Sequence, residues 1–179
     1  MSEPISILDK RFKPYISKEE VQEIVSRMAE KINHDYAGKN PLFLAILNGS
    51  FMFTADLFKK LTIPCTVSFV KLASYRGTRS TGNVLTLIGL DEDISERHIV
   101  ILEDIVDTGK TLSELLPSLE KRNPRSLEVC TLLLKPKALN HPISLKYVGK
   151  EIPNAFIVGY GLDYDGQGRN LPEVYQITD

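Results

Sequence analysis

The run Ile99-Val-Ile-Leu-Glu-Asp-Ile-Val-Asp-Thr-Gly-Lys-Thr111 sets two adjacent carboxylates, Glu103 and Asp104, at the end of an apolar stretch. Asp107, Thr108, Gly109, Lys110 and Thr111 follow directly. Desolvating two neighbouring carboxylates is costly, so packing alone does not favour them at the end of a buried strand. A ligand with hydroxyls to donate, or a divalent cation, offsets that cost, and a ribose diol meets the first description. A turn of small hydroxylated residues with a glycine and a helix start presents successive backbone N–H groups, which suits a phosphate. Acids for a sugar followed by amides for a phosphate describe a sugar-phosphate site. A strand–turn–helix with solvated acids and capping threonines explains each residue singly, but not the whole string.

Two other phosphate motifs fail on spacing. Gly109-Lys110-Thr111 has the ending of a Walker A loop, which needs a glycine five positions before Gly109. Asp104 stands there, and its carboxylate repels a triphosphate. Gly159 and Gly161 have the first spacing of a dinucleotide fingerprint, but Tyr164 occupies the third glycine position.

The elements that hold this segment follow from apolar patterning. His98-Ile-Val-Ile-Leu102 and Pro41-Leu-Phe-Leu-Ala-Ile-Leu47 read as strands buried on both faces. Ser17 and Glu20 have capping-box spacing, and Val21, Ile24, Val25, Met28 and Ile32 mark one face of a helix that Gly38 ends. A second helix runs from about Phe51 to Lys60, and a third carries Leu112, Leu115, Leu116 and Leu119 on one face. Further strands are expected at Pro64 to Leu72, Val84 to Gly89, Leu127 to Leu134 and Ala155 to Gly159, with a polar loop over 73–83. Strands alternating with helices imply an α/β fold with a mostly parallel sheet covered on both sides. The ends fit that repeat less well and are expected to form a separate hood.

The bulk numbers agree with one soluble domain. The chain has 179 residues, 42% hydrophobic and 25% charged, with a formal net charge of −1. That balance argues against disorder and gives no electrostatic reason to expect nucleic acid or an anionic membrane as the main partner. Cys65 and Cys130 form no CxxC pair and sit in strand-like contexts, as reduced core residues do. The opening MSEPISILDKRF has neither a basic start nor an apolar run, so a cytoplasmic protein is expected.

The Ile99 to Thr111 string resembles the phosphoribosyl pyrophosphate (PRPP) motif of type I phosphoribosyltransferases. Other segments, in order, are similar to the hypoxanthine-guanine members of that family. Leu47-Asn48-Gly49-Ser50 resembles their pyrophosphate loop, Ser74-Tyr75 their mobile catalytic loop, and Leu132-Leu-Leu-Lys135 the strand that delivers a purine-reading lysine. The tail from Val148 to Asp163, with Arg169-Asn-Leu171, resembles their base-binding hood.

The resemblance implies roles. Glu103 and Asp104 would bind the ribose hydroxyls, and Asp107 through Thr111 would cradle the 5′-phosphate. Asp107, beside purine N7, is the candidate general base or acid, in keeping with the need of a nucleophilic ring nitrogen to shed a proton. Lys135 would donate to O6, Phe156 would stack on the base and the Ile157 backbone would bond the ring edge. Asn48, Gly49 and Arg169 would hold pyrophosphate. Mg²⁺ is the implied cofactor, met by Glu103, Asp104 and Asp163, the last through water. Asn48 departs from the family, which often has a basic residue there, so the loop would act through its backbone. The family has a cis peptide at the positions matching Leu47 and Asn48.

The fold implied is the type I phosphoribosyltransferase fold over residues 1–179, with a core at about 41–135 and a hood from about 1–40 and 136–179. The partners implied are PRPP and a 6-oxopurine, in a homodimer or homotetramer. The alternative is a PRPP- or nucleotide-binding regulatory protein of the same fold, which a basic face would favour.

Overall fold

The computed structural model describes residues 3–75 and 84–178. Six strands form the larger sheet. In spatial order they are Val84–Ile88 (β5), Thr66–Tyr75 (β4), Leu42–Leu47 (β3), His98–Val106 (β6), Ser126–Leu134 (β7) and Tyr147–Glu151 (β8). β4, β3, β6, β7 and β8 run parallel, and β5 pairs antiparallel on the β4 edge. Lys18–Asp35 (α1) and Phe51–Phe58 (α2) cover one face, and Lys110–Glu120 (α3) covers the other.

The apolar runs sort onto these two layers by the period of a strand. Phe43 and Ala45 of β3, with Val100 and Leu102 of β6, pack with Val21, Ile24, Val25 and Met28 of α1. Leu42, Leu44 and Ile46 of β3, with Ile99 and Ile101 of β6, pack with Leu112, Leu115 and Leu119 of α3. Ser17 caps α1 by accepting from the Glu20 N–H at 3.2 Å. Glu20 does not complete the box, and its carboxylate takes Lys150 Nζ at 2.7 Å instead.

The smaller sheet is antiparallel, in the order Ile5–Ile7 (β1), Lys10–Ile16 (β2), Val174–Thr178 (β10) and Ile157–Val158 (β9). It has its own cluster of Ile7, Phe12, Val158 and Tyr175. It joins both ends of the chain. α1 packs on the main sheet, and β8 extends that sheet, so residues 18–35 and 147–151 stand with the core. The strand expected at Ala155 to Gly159 is the short β9 of the smaller sheet. β4 continues through Ala73, Ser74 and Tyr75, which pair with Thr86, Leu85 and Val84, where a loop was expected. The remainder of that expected loop, 76–83, lies outside the described residues.

Candidate active site

In a parallel sheet every strand end on one edge faces the same way, and ligands gather at the carboxyl edge. β3 leads there into Asn48-Gly49-Ser50, β6 into Asp107–Thr111, β7 into Lys135, and β4 ends there at Ser74 and Tyr75. The expected site residues from these four strands therefore meet at one edge. Behind β6, Glu103 and the run from Ile105 to Leu112 line a cleft of about 330 Å³ that opens to solvent.

Glu103 and Asp104 are half-buried within β6. Burial pushes the Glu103 carboxyl well above its usual range, and the Asp104 charge adds to the effect. Burial also raises Asp104, to about 6, against the lowering effect of the Ile105 N–H and the Arg169 charge. Two carboxyls held up in this way favour a partner that brings positive charge or hydroxyl donors. Gly49 packs directly on Asp104, so a side chain at 49 would overlap that carboxylate. Gly161 in turn packs on the Gly49 carbonyl, which joins the hood to the β3 loop. The Leu47–Asn48 peptide is cis, as the resemblance implies.

Gly109 has a φ of +79° and begins α3 without a side-chain cap. Its left-handed backbone is one that glycine adopts without steric cost. The first amides of a helix lack intrahelical acceptors, so this turn suits an anion. Thr108 Oγ1 accepts from the Lys110 N–H at 3.3 Å. Lys110 is exposed beside Gly109.

Lys135 is only 8% exposed, and its ammonium donates to Asp107 Oδ2 at 3.1 Å. A donor and an acceptor thus stand side by side at the cleft. Phe156, just before β9, is 45% exposed. Its ring meets Phe12 at 6.3 Å and Tyr164 at 5.8 Å between centroids. An apolar ring supported on one side and open on the other can take a flat ligand. Ile157 lies beside it at the start of β9. Arg169 donates to Asp163 Oδ1 at 2.7 Å and to the Gly161 carbonyl at 2.6 Å. Asp163 Oδ2 accepts from the Gly166 N–H at 2.7 Å.

The phosphoribosyl transferase domain model matches residues 17–165. The chain belongs to that family. It is 42% identical to a hypoxanthine-guanine phosphoribosyltransferase of Mycobacterium tuberculosis, over 90% of this chain and 87% of the relative. It is 44% identical to a hypoxanthine phosphoribosyltransferase of Buchnera aphidicola, over 92% of this chain and 95% of the relative. A crystal structure of a hypoxanthine phosphoribosyltransferase from Staphylococcus aureus superposes with a TM-score of 0.86 at 39% identity, covering 93% of this chain and 91% of that one. The fold is the one those phosphoribosyltransferases share.

Sequence reading missed some of what this phosphoribosyltransferase places around its site. Tyr160 donates to Asp56 Oδ2 at 2.8 Å, and the same carboxylate accepts from Gln22 at 2.6 Å and Lys59 at 2.9 Å. His141 meets the Thr108 carbonyl at 3.1 Å. Apart from the local Lys59–Asp56 pair, each contact joins residues far apart in the chain, so no local motif marks it.

Proposed function

We propose that the chain transfers the 5-phosphoribosyl group of PRPP to N9 of hypoxanthine or guanine, releasing pyrophosphate and forming IMP or GMP. The observation that carries this reading is the Lys135–Asp107 pair at the edge of the phosphate-type cleft. A 6-oxopurine has an acceptor at O6 and a ring N–H beside it, and the pair offers a donor and an acceptor in return.

In this reading the first amides of α3, with Thr108 and Thr111, hold the 5′-phosphate, and Lys110 adds positive charge at the turn. Glu103 and Asp104 take the ribose hydroxyls. Arg169 and the backbone at Asn48 and Gly49 face the pyrophosphate, and Ser74 and Tyr75 close over the reaction centre from the end of β4. Lys135 donates to O6, Phe156 stacks on the ring and Ile157 bonds its edge. The C1′–oxygen bond breaks, pyrophosphate leaves with the electron pair, and N9 bonds C1′ while Asp107 takes the N7 proton.

Mg²⁺ would be held together with PRPP, with Glu103, Asp104 and Asp163 as the nearby carboxylates. Among the described residues no group of three or more His, Cys, Asp or Glu side chains forms a metal cage. The residues present fit a hard ion completed by substrate oxygens and water. Glu103 and Asp104 gain from a nearby positive charge, while both Asp163 oxygens are engaged and suit a water-mediated contact. The ion's role would be to neutralise charge on the leaving pyrophosphate.

No helix among the described residues is long and apolar enough to cross a membrane. The free thiols of Cys65 and Cys130 support a reducing, cytoplasmic setting. Exposed Phe51, Phe69 and Ile88 on α2, β4 and β5 support a homodimer or homotetramer. The deciding experiment follows pyrophosphate release from PRPP with hypoxanthine, guanine, xanthine and adenine in turn, with and without Mg²⁺. Turnover of oxopurines that needs Mg²⁺ is expected. PRPP binding without turnover of any base would favour the regulatory reading instead.

A further inference from the structure

We propose that His141 is a positioning residue for the 5′-phosphate, acting through the carbonyl of Thr108. The proposal rests on the reading of the Asp107–Thr111 turn as the phosphate cradle. Three donors converge on that one carbonyl oxygen. The Asn140 N–H lies 3.1 Å away, the His141 N–H 3.2 Å and His141 Nδ1 3.1 Å. A carbonyl oxygen has two lone pairs, so this acceptor is fully used. Because a carbonyl oxygen only accepts, Nδ1 is the ring nitrogen that must carry hydrogen in this contact.

The geometry has a consequence on the far side of the peptide. A trans peptide is planar, and the Thr108 C=O and Gly109 N–H point in opposite directions. Drawing the carbonyl toward residues 140 and 141 turns the Gly109 N–H away from them and toward the cleft. It also keeps the negative end of that peptide from facing a bound phosphate. The same segment seats against the glycine itself. A Cβ at Gly109 would lie 2.8 Å from Leu139 Cδ1 and 3.2 Å from Ile143 Cδ1. Residues 139–143 therefore wall the turn from outside, with His141 as the side chain that bonds it. His141 is half-buried, so replacing it leaves the apolar core intact.

The test compares wild type with His141→Ala and His141→Asn. Asn places its amide nitrogen where His places Nδ1, so it restores the donor. Affinities for ribose 5-phosphate, IMP and inosine are read by calorimetry, and KM for PRPP and for hypoxanthine by initial rates. His141→Ala is expected to weaken both phosphate ligands and raise the PRPP KM about tenfold, the worth of one ordinary hydrogen bond. Inosine affinity and the hypoxanthine KM are expected to stay within about twofold, and His141→Asn to recover most of the loss. Equal weakening of IMP and inosine, or no weakening in the alanine variant, would overturn the proposal. Turnover by wild type tests the proposed reaction separately, and ribose 5-phosphate binding reads the role of His141 whatever that result.

Discussion

Lys135 has three donors and no acceptor, and in the folded chain it is nearly buried against Asp107. With hypoxanthine it gains a charge-assisted bond to O6, whereas adenine turns an amino donor toward it. Lys135→Ala is expected to cost oxopurines about 1.5–3 kcal/mol in kcat/KM and to narrow the hypoxanthine-to-adenine ratio, because the repulsive group is gone. Measuring that ratio in both proteins decides the matter, and an unchanged ratio would move base selection elsewhere. Asp104 makes a second prediction, in pH. Burial lifts its folded pKa to about 6, above the ordinary value of 3.8, so between those values the folded chain holds a proton that the unfolded chain has released. This group favours the fold most at low pH, and the contribution is lost as pH rises through about 6. Replacing it by Asn removes that loss, so Asp104→Asn is expected to raise Tm relative to wild type more at pH 8 than at pH 5. A Tm difference independent of pH would show that Asp104 does not titrate in this window. Asp104 was legible because the Glu103 to Thr111 chemistry is contiguous, whereas Lys135 stood out only through the resemblance of Leu132-Leu-Leu-Lys135 to the family's purine-reading strand. His141 was not legible, since the carbonyl it meets is 33 positions away.

The central strands were legible for the opposite reason to the edges. β3 and β6 are buried on both faces, so their apolar runs have no competing period. β1, β2, β8 and β10 are short, half-polar segments, and their burial depends on partners from the other end of the chain. β9 is only two residues long, and its apolar neighbour Phe156 proves to be exposed. Nothing local in α1 or β8 says which sheet each joins, and both stand with the large one. The Tyr160–Asp56 bond shows how α2 and the hood turn are tied across 104 positions. Tyr160 is 2% exposed and lies between Gly159 and Gly161, the second of which rests on the β3 loop. Burial works against ionisation of Asp56, but its bonds from Lys59, Tyr160 and Gln22 outweigh it and hold the carboxyl below the usual range. Tyr160→Phe is expected to lower stability by about 1.5 kcal/mol, the low end for a bond to a charged group, because two donors remain. Denaturant unfolding reads the loss, and a change below about 0.5 kcal/mol would mean the hydroxyl is no strut.

At the scale of the whole molecule, the two ligands of the proposed reaction draw unequally on the two packing units. The phosphate turn, the acid pair, Asp107 and Lys135 stand with the large sheet, whereas the ring of Phe156 rests on Phe12 of the smaller sheet's cluster, and Ile157 of β9 packs its side chain into the large core. Phe12 is the centre of that cluster: it is fully buried, and its ring meets both Phe156 and Tyr164 at 6.3 and 6.1 Å. Phe12→Ala opens a cavity there, at a cost of about 3–5 kcal/mol for a buried Phe. Because local units of a fold open with their own free energies, the loss is expected to concentrate in β1, β2, β9 and β10. Hydrogen exchange would then show faster amides in those strands and unchanged protection in β3, β6 and β7. Base binding would suffer with the hood, raising the KM for hypoxanthine about tenfold or more, equivalent to at least about 1.4 kcal/mol. PRPP affinity would change by less than about threefold, since its proposed anchors stand mainly with the large sheet and only Arg169 and Asp163 come from the hood side. A parallel fall in affinity for PRPP and for the base would contradict this division, and would mean that hood and core respond as one cooperative unit.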